Sequence, residues 1–188
     1  MNIGLYFGSF NPVHIGHLII AKYISQHTNL DQVWFIVSPQ NPFKESAALL
    51  NEYQRLHLVR LAIDGEDDLK ASDIEFHLPR PSYTVDTLAY LGEKYPQHRF
   101  SVIMGSDSYQ NLPRWKNADV IMRNYPLFVY RRPGFEIKDP GDSVIQLNAP
   151  LLQISATEIR NMIREGKSIR YLVSDIVQQE IENTGYYR

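Results

Sequence analysis

Two histidines three residues apart, His14 and His17, lie in the stretch GSFNPVHIGH at residues 8–17, fenced by Gly8 and Gly16. Imidazoles at that spacing suit two chemistries, ligation of a metal ion or contact with phosphate. A metal is poorly served: the stretch holds no Asp, Glu or Cys, whereas zinc takes three or four protein ligands. Phosphate is better served. Glycines let the backbone approach a ligand closely, and the amides of a helix start favour an anion. Residues at i and i+3 of a helix project from neighbouring positions, so both rings could face one ligand. A bland alternative stays open, in which one histidine caps the turn and the other packs in the core.

The chemistry depends on a strand that ends at Gly8 and a helix that begins near Gly16. Ile3-Gly4-Leu5-Tyr6-Phe7 is a short apolar run of the kind that forms a buried strand, and Leu18, Ile19, Ile20, Tyr23 and Ile24 follow with helical spacing. Further strands are predicted at residues 33–37, 100–104 and 127–130. Helices are expected through Leu56, Leu58, Val59 and Ile63, and from Tyr83 to Tyr95. Strands alternating with helices predict an α/β fold, a Rossmann-like doubly wound parallel sheet with helices on both faces. In such a sheet ligands bind at the carboxyl ends of the strands, which is where the histidines fall. Residues 38–46 and 133–143 read as loops.

Composition removes several classes of function. With 188 residues and 44% hydrophobic content the chain suits a single domain spanning residues 1–188. The absence of cysteine excludes disulfide scaffolds, thiolate metal sites and cysteine nucleophiles. A net charge of −2 without a basic run speaks against nucleic acid or a membrane surface as partner, though not against a small anion in a local basic pocket. No apolar stretch approaches the roughly 20 residues that span a bilayer, and MNIGLYFGSF is broken too early for a signal peptide, so a cytoplasmic protein is expected. A homo-oligomer is left open.

GSFNPVHIGH resembles the GxFxPxHxGH signature of the nucleotidyltransferase superfamily, with every fixed position filled. The resemblance implies that His14 and His17 contact nucleotide phosphates, that His17 stabilises charge developing during transfer, and that Gly8, Ser9 and Phe10 contribute backbone contacts. Such transfers spread negative charge over several oxygens, so positioning and donors supply most of the catalysis. A second stretch, Ile154-Ser155-Ala156-Thr157-Glu158-Ile159-Arg160, resembles the superfamily's ISSTxIR, with Ala156 replacing one serine. By the residues alone, Ser155 and Glu158 form a capping box that opens a helix bearing Ile159, Met162 and Ile163. The same helix start offers amides, the hydroxyls of Ser155 and Thr157, and Arg160 to a polyphosphate. Helices from about residue 155 are thus expected to complete the phosphate site.

The middle of the chain bears on the acceptor. Residues 80–88, RPSYTVDTL, resemble the PSYTxDTL stretch of bacterial nicotinate-mononucleotide adenylyltransferases, as do Met104-Gly105-Ser106-Asp107, Leu112-Pro113-Arg114-Trp115 and residues 129–134. The resemblance covers nearly the whole chain and implies transfer of AMP from ATP to nicotinate mononucleotide. On it, the backbone amides of Thr84 and Lys116 would hold the nicotinate carboxylate, beside Tyr83 and Ser9. Trp115 offers a face on which a pyridinium could stack. Gly105 and Asp107 are placed like residues that meet a nucleotide's ribose, although N-capping explains Asp107 equally well locally. Lys44 matches a lysine that reaches the phosphates, Ile154 belongs with the ATP contacts, and Arg131 with Arg132 lines the same edge or merely ends a strand. Mg²⁺ is expected to arrive with ATP, without a dedicated carboxylate cage. Two alternatives remain: a related adenylyltransferase such as one acting on phosphopantetheine, or a nucleotide-binding module without turnover.

Overall fold

The four apolar runs and two further segments become six parallel strands in one sheet. The computed structural model describes residues 1–39, 49–137, 140–150 and 152–188. The strands are β1 (Asn2–Gly8), β2 (Gln32–Val37), β3 (Leu69–Ser72), β4 (Arg99–Gly105), β5 (Leu127–Tyr130) and β6 (Val144–Leu147). Their spatial order is β3-β2-β1-β4-β5-β6, and each neighbouring pair runs parallel. This is the order of a doubly wound Rossmann sheet, in which the chain reverses its direction of travel between β1 and β4. The crevice at that reversal is the natural ligand site.

The inner strands read as unbroken apolar runs because both faces of the sheet are covered. Tyr6, Phe35, Ile103 and Phe128 face one core, while Leu5, Trp34, Ile36, Val102 and Val129 face the other. The described helices are α1 (Ile15–His27), α2 (Glu52–Ala62), α3 (Thr84–Lys94), α4 (Ser106–Asn111), α5 (Ala118–Asn124), α6 (Ala156–Arg164) and α7 (Asp175–Thr184). Buried residues of α1, α2, α6 and α7 fill the first core, and those of α3 and α5 fill the second. Among the described residues no helix is long and apolar enough to cross a membrane.

The edge strands β3 and β6 were not expected from the sequence. Each buries few residues, Leu69 in β3 and Leu147 in β6, so neither carries an apolar run. The predicted loop at 133–143 has no helix or strand among its described residues. Within the other predicted loop, Ser38 and Pro39 follow β2 and the remaining residues lie outside the described ones.

Candidate active site

A cavity of about 460 Å³ opens at the carboxyl ends of β1 and β4, well within the size range of small-molecule sites. Gly8, Ser9, Phe10, His14 and His17 enter it from the β1–α1 turn. Gly105 and Asp107 come from the end of β4, Trp115 from the turn before α5, and Ile154, Ser155, Thr157 and Arg160 from the start of α6. Residues from both ends of the chain therefore meet around one space.

The two imidazoles are stacked, with ring centroids 3.6 Å apart and planes 26° from parallel. His14 is the N-cap of α1, and its backbone amide donates to Nδ1 of His17 at 3.3 Å. The capping role foreseen as the bland alternative is thus present, and it has a chemical consequence. An Nδ1 that accepts a hydrogen bond carries no proton, so the neutral ring of His17 is a donor at Nε2. Below the pair lies Phe10, whose ring meets that of His17 edge-on at 5.0 Å. Phe10 is almost fully buried and holds a left-handed φ of 45°, a conformation that burial of its ring stabilises.

His14 is buried, and its pKa is lowered to about 4, first by burial and second by the charge of Arg132. It is neutral near pH 7 for that reason. Its Nδ1 has no hydrogen-bond partner and lies against Gly16, where a Cβ would stand 3.0 Å from it. Gly16 leaves the room that the ring occupies. The first turn of α1 holds no acidic residue, which leaves its positive end available to an anion.

Arg160 joins the two signatures. Its Nη1 donates to the carbonyl of Asn11 at 2.7 Å, and its Nη2 to the Thr157 hydroxyl at 3.2 Å. Ser155 is the N-cap of α6, but its hydroxyl makes no capping bond; the expected capping box does not form, and Ser155 lines the cavity instead. Ala156, the departure from the ISST pattern, lines it too. Asp107 is not an N-cap either, since Gly105 holds that position in α4. Its carboxylate lies 3.6 Å from Nε of Arg132, and a Cβ on Gly105 would collide with both side chains.

Tyr83, Thr84 and Lys116 do not line this cavity, although they form a unit beside it. Nζ of Lys116 lies 2.8 Å from Asp86 in the first turn of α3 and 4.9 Å from the centre of the Tyr83 ring. That clamp ties the turn carrying Trp115 to the start of α3. Lys44 lies outside the described residues. Arg131 is exposed and does not line the cavity.

Against this geometry the comparisons are direct. The family model described as cytidylyltransferase-like matches residues 5–162. A relative from Cytophaga hutchinsonii that bears the name "Probable nicotinate-nucleotide adenylyltransferase" is 50% identical, covering 100% of this chain and 98% of its own length. One from Flavobacterium johnsoniae is 46% identical over 100% of both chains. The chain belongs to the nicotinate-nucleotide adenylyltransferase family. The family fold extends to a distant structure, the Plasmodium falciparum nicotinic acid mononucleotide adenylyltransferase complexed with NaAD, at a TM-score of 0.85 and 20% identity over 99% of this chain and 97% of that one.

Within this family member the structure separates Arg132 from Arg131, which the sequence had named together, and it adds Tyr6, Tyr130 and Asn11, which sequence reasoning missed. Arg132, rather than Arg131, lines the cavity, and its backbone amide is fixed by the buried Ser106 hydroxyl at 2.8 Å. Alternation along β5 could have found it, because Phe128 and Tyr130 face the first core and Arg132 continues their parity. Tyr6 and Tyr130 also line the cavity, their hydroxyls 3.2 Å apart. Asn11 is buried and receives the Leu50 amide on Oδ1 at 3.1 Å. Among the described residues no three His, Cys, Asp or Glu side chains group as metal ligands.

Proposed function

We propose that this chain transfers AMP from ATP to nicotinate mononucleotide, releasing nicotinate adenine dinucleotide and pyrophosphate. The observation that carries the reading is the convergence of His14, His17, Thr157 and Arg160 with Trp115 and Asp107 on one cavity at the sheet's reversal. Phosphate-binding groups and a stacking platform share a space that could hold two substrates end to end. The closeness to adenylyltransferases of this name at 46–50% identity supports the same assignment.

The reaction is an in-line displacement. A phosphate oxygen of the mononucleotide forms a bond to the α-phosphorus of ATP as the bond from that phosphorus to the bridging oxygen breaks, and pyrophosphate leaves with the electron pair. No protein nucleophile is required. His17, a donor at Nε2, and the amides of the β1–α1 turn stabilise the charge growing on the α-phosphate oxygens. Neutral His14 contributes a second hydrogen bond without repelling the cationic rim of Arg132 and Arg160. Thr157, Ser155 and the start of α6 hold the departing phosphates, and the resemblance gives Lys44 the same task. Asp107 receives the ribose hydroxyls. Trp115 stacks on the pyridinium, an interaction worth about 0.5–2 kcal/mol, while the amides of Thr84 and Lys116 donate to the nicotinate carboxylate. Magnesium would enter as part of the substrate MgATP, held mainly by the phosphates rather than by a protein carboxylate.

The test is pyrophosphate release with Mg-ATP and, separately, nicotinate mononucleotide, nicotinamide mononucleotide and phosphopantetheine. Preference for the nicotinate acceptor is expected, because an amide would leave carboxylate-binding donors unpaired. His17→Ala is expected to lower kcat by about 100-fold or more, as loss of a donor to developing charge does. Release with phosphopantetheine alone would overturn the acceptor assignment. Silence with all three, in protein that still binds ATP, would overturn catalysis.

A further inference from the structure

Among the described residues, two Asp, Glu, Lys or Arg side chains are fully buried, Arg55 at 0% and Glu75 at 2% exposure. Neither lines the cavity, and each is hydrogen-bonded to neutral groups. Arg55, on α2, gathers carbonyls from the β1–α1 turn and from both ends of the β2–α2 connection. Its Nη1 donates to Ser9 at 2.5 Å and to Ser38 at 2.8 Å, its Nη2 to Pro39 at 3.1 Å, and its Nε to Leu50 at 2.7 Å. Burial lowers its pKa to about 10, so the guanidinium stays charged at neutral pH.

Glu75, in the 3₁₀ turn Ile74–His77, gathers hydroxyls instead. Ser82 donates to one carboxylate oxygen at 2.8 Å and Thr87 to the other at 2.9 Å. Ser38 also hydrogen-bonds this carboxylate. Ser82 and Thr87 bracket Tyr83 and Thr84, the residues assigned above to the nicotinate end. Ser9 belongs to the phosphate loop.

Ser38 is where the two buried charges meet. Its amide donates to the Gly8 carbonyl at 2.9 Å, its carbonyl receives Arg55, and its side chain meets Glu75. An unbroken hydrogen-bonded path therefore runs from the Gly8–Ser9 turn, through Arg55 and Ser38, to Glu75 and the start of α3. The path bypasses the cavity. A buried charge without hydrogen-bond partners is costly, so each of these groups enforces the geometry of the loops that satisfy it. We propose that Arg55 and Glu75 are positioning residues that, joined at Ser38, set the phosphate loop and the acceptor loop in register, so that the two substrates meet in line.

The proposal rests on the two-substrate reading above, and alignment of two bound reactants is a large source of rate. In the intact chain, Arg55→Lys and Glu75→Gln are each expected to lower kcat about 10-fold or more while the Kd of each substrate measured alone changes less than about threefold. The double variant should be no slower than the slower single one. Losses that multiply would show independent sites and overturn the joint, as would a loss confined to the KM of one substrate. Hydrogen exchange of the ligand-free protein supplies a readout free of turnover. Glu75→Gln should speed exchange at residues 82–87 and also at 8–11, across the joint; acceleration at 82–87 alone overturns the proposal. Should Glu75→Gln fail to fold, Ser38→Ala, which keeps the carbonyl bound by Arg55, takes its place with the same two outcomes. Spread of exchange in a protein whose wild type ignores nicotinate mononucleotide would sink the acceptor assignment and leave the joint standing.

Discussion

At the scale of single residues, the protonation of His14 is what the surroundings most alter. Burial and Arg132 hold its pKa near 4 in the folded chain, against 6.5 for an unhindered histidine. Between those values the unfolded chain binds a proton on this ring and the folded chain does not, so acidification favours unfolding across that window. Above pH 6.5 neither state is protonated there and the contribution is flat. His14→Asn should remove a stability loss on the order of 3 kcal/mol between pH 6.5 and 4. Denaturant unfolding of both proteins at pH 7 and pH 4.5 measures this; equal losses in the two would show that His14 does not titrate as described. Residues of this kind were partly legible in the sequence. His14, His17 and Arg160 sat in fixed patterns, whereas Glu75 lies between Ile74 and Phe76 in a turn and gives no periodic signal. Arg55 did leave one: it falls on the same stripe as Leu58 and Val59 at i+3 and i+4, a charge on a buried face.

At the scale of elements, helix starts carry the chemistry, and their local details decide how well. In α1 the glycine between the histidines is a matter of space. A Cβ at Gly16 would meet Nδ1 of His14 at 3.0 Å and Cε1 at 3.1 Å, so the ring must give way. Gly16→Ala is expected to fold, since alanine favours a helix over glycine by about 1 kcal/mol, yet to lose about tenfold or more in kcat as the imidazole pair shifts. Steady-state kinetics beside a melting curve separates the two effects, and unchanged kcat would show that the ring tolerates displacement. The inner strands and long helices could be read from sequence because burial on both faces, or on one stripe, forces apolar runs and 3.6-residue spacing. Edge strands and α4 could not. Residues 106–111, SDSYQN, are polar apart from Tyr109, too little for a helical stripe, and that helix forms because the chain leaving Gly105 must turn away from the sheet.

Across the whole molecule, stability and site are assembled by different contacts. Val177 and Ile181 of α7 are buried in the core that also receives α2, far along the chain from the histidines. Ile181→Ala should cost about 2–5 kcal/mol in denaturant unfolding, as truncations of buried aliphatic side chains do. Its kcat per folded molecule should match wild type; a large fall would mean that α7 also holds the site in shape. The parallel, doubly wound class of the sheet followed from strands alternating with helices, but the pairing of residues distant along the chain did not, because no pattern in either segment names its partner. Arg160 and Asn11 are 149 positions apart, and the hydrogen bond between them joins the start of α6 to the β1–α1 turn. A ribosome delivers Asn11 long before Arg160. During synthesis, then, a nascent chain that has emerged only as far as the histidine pair still lacks the wall that α6 gives their cavity.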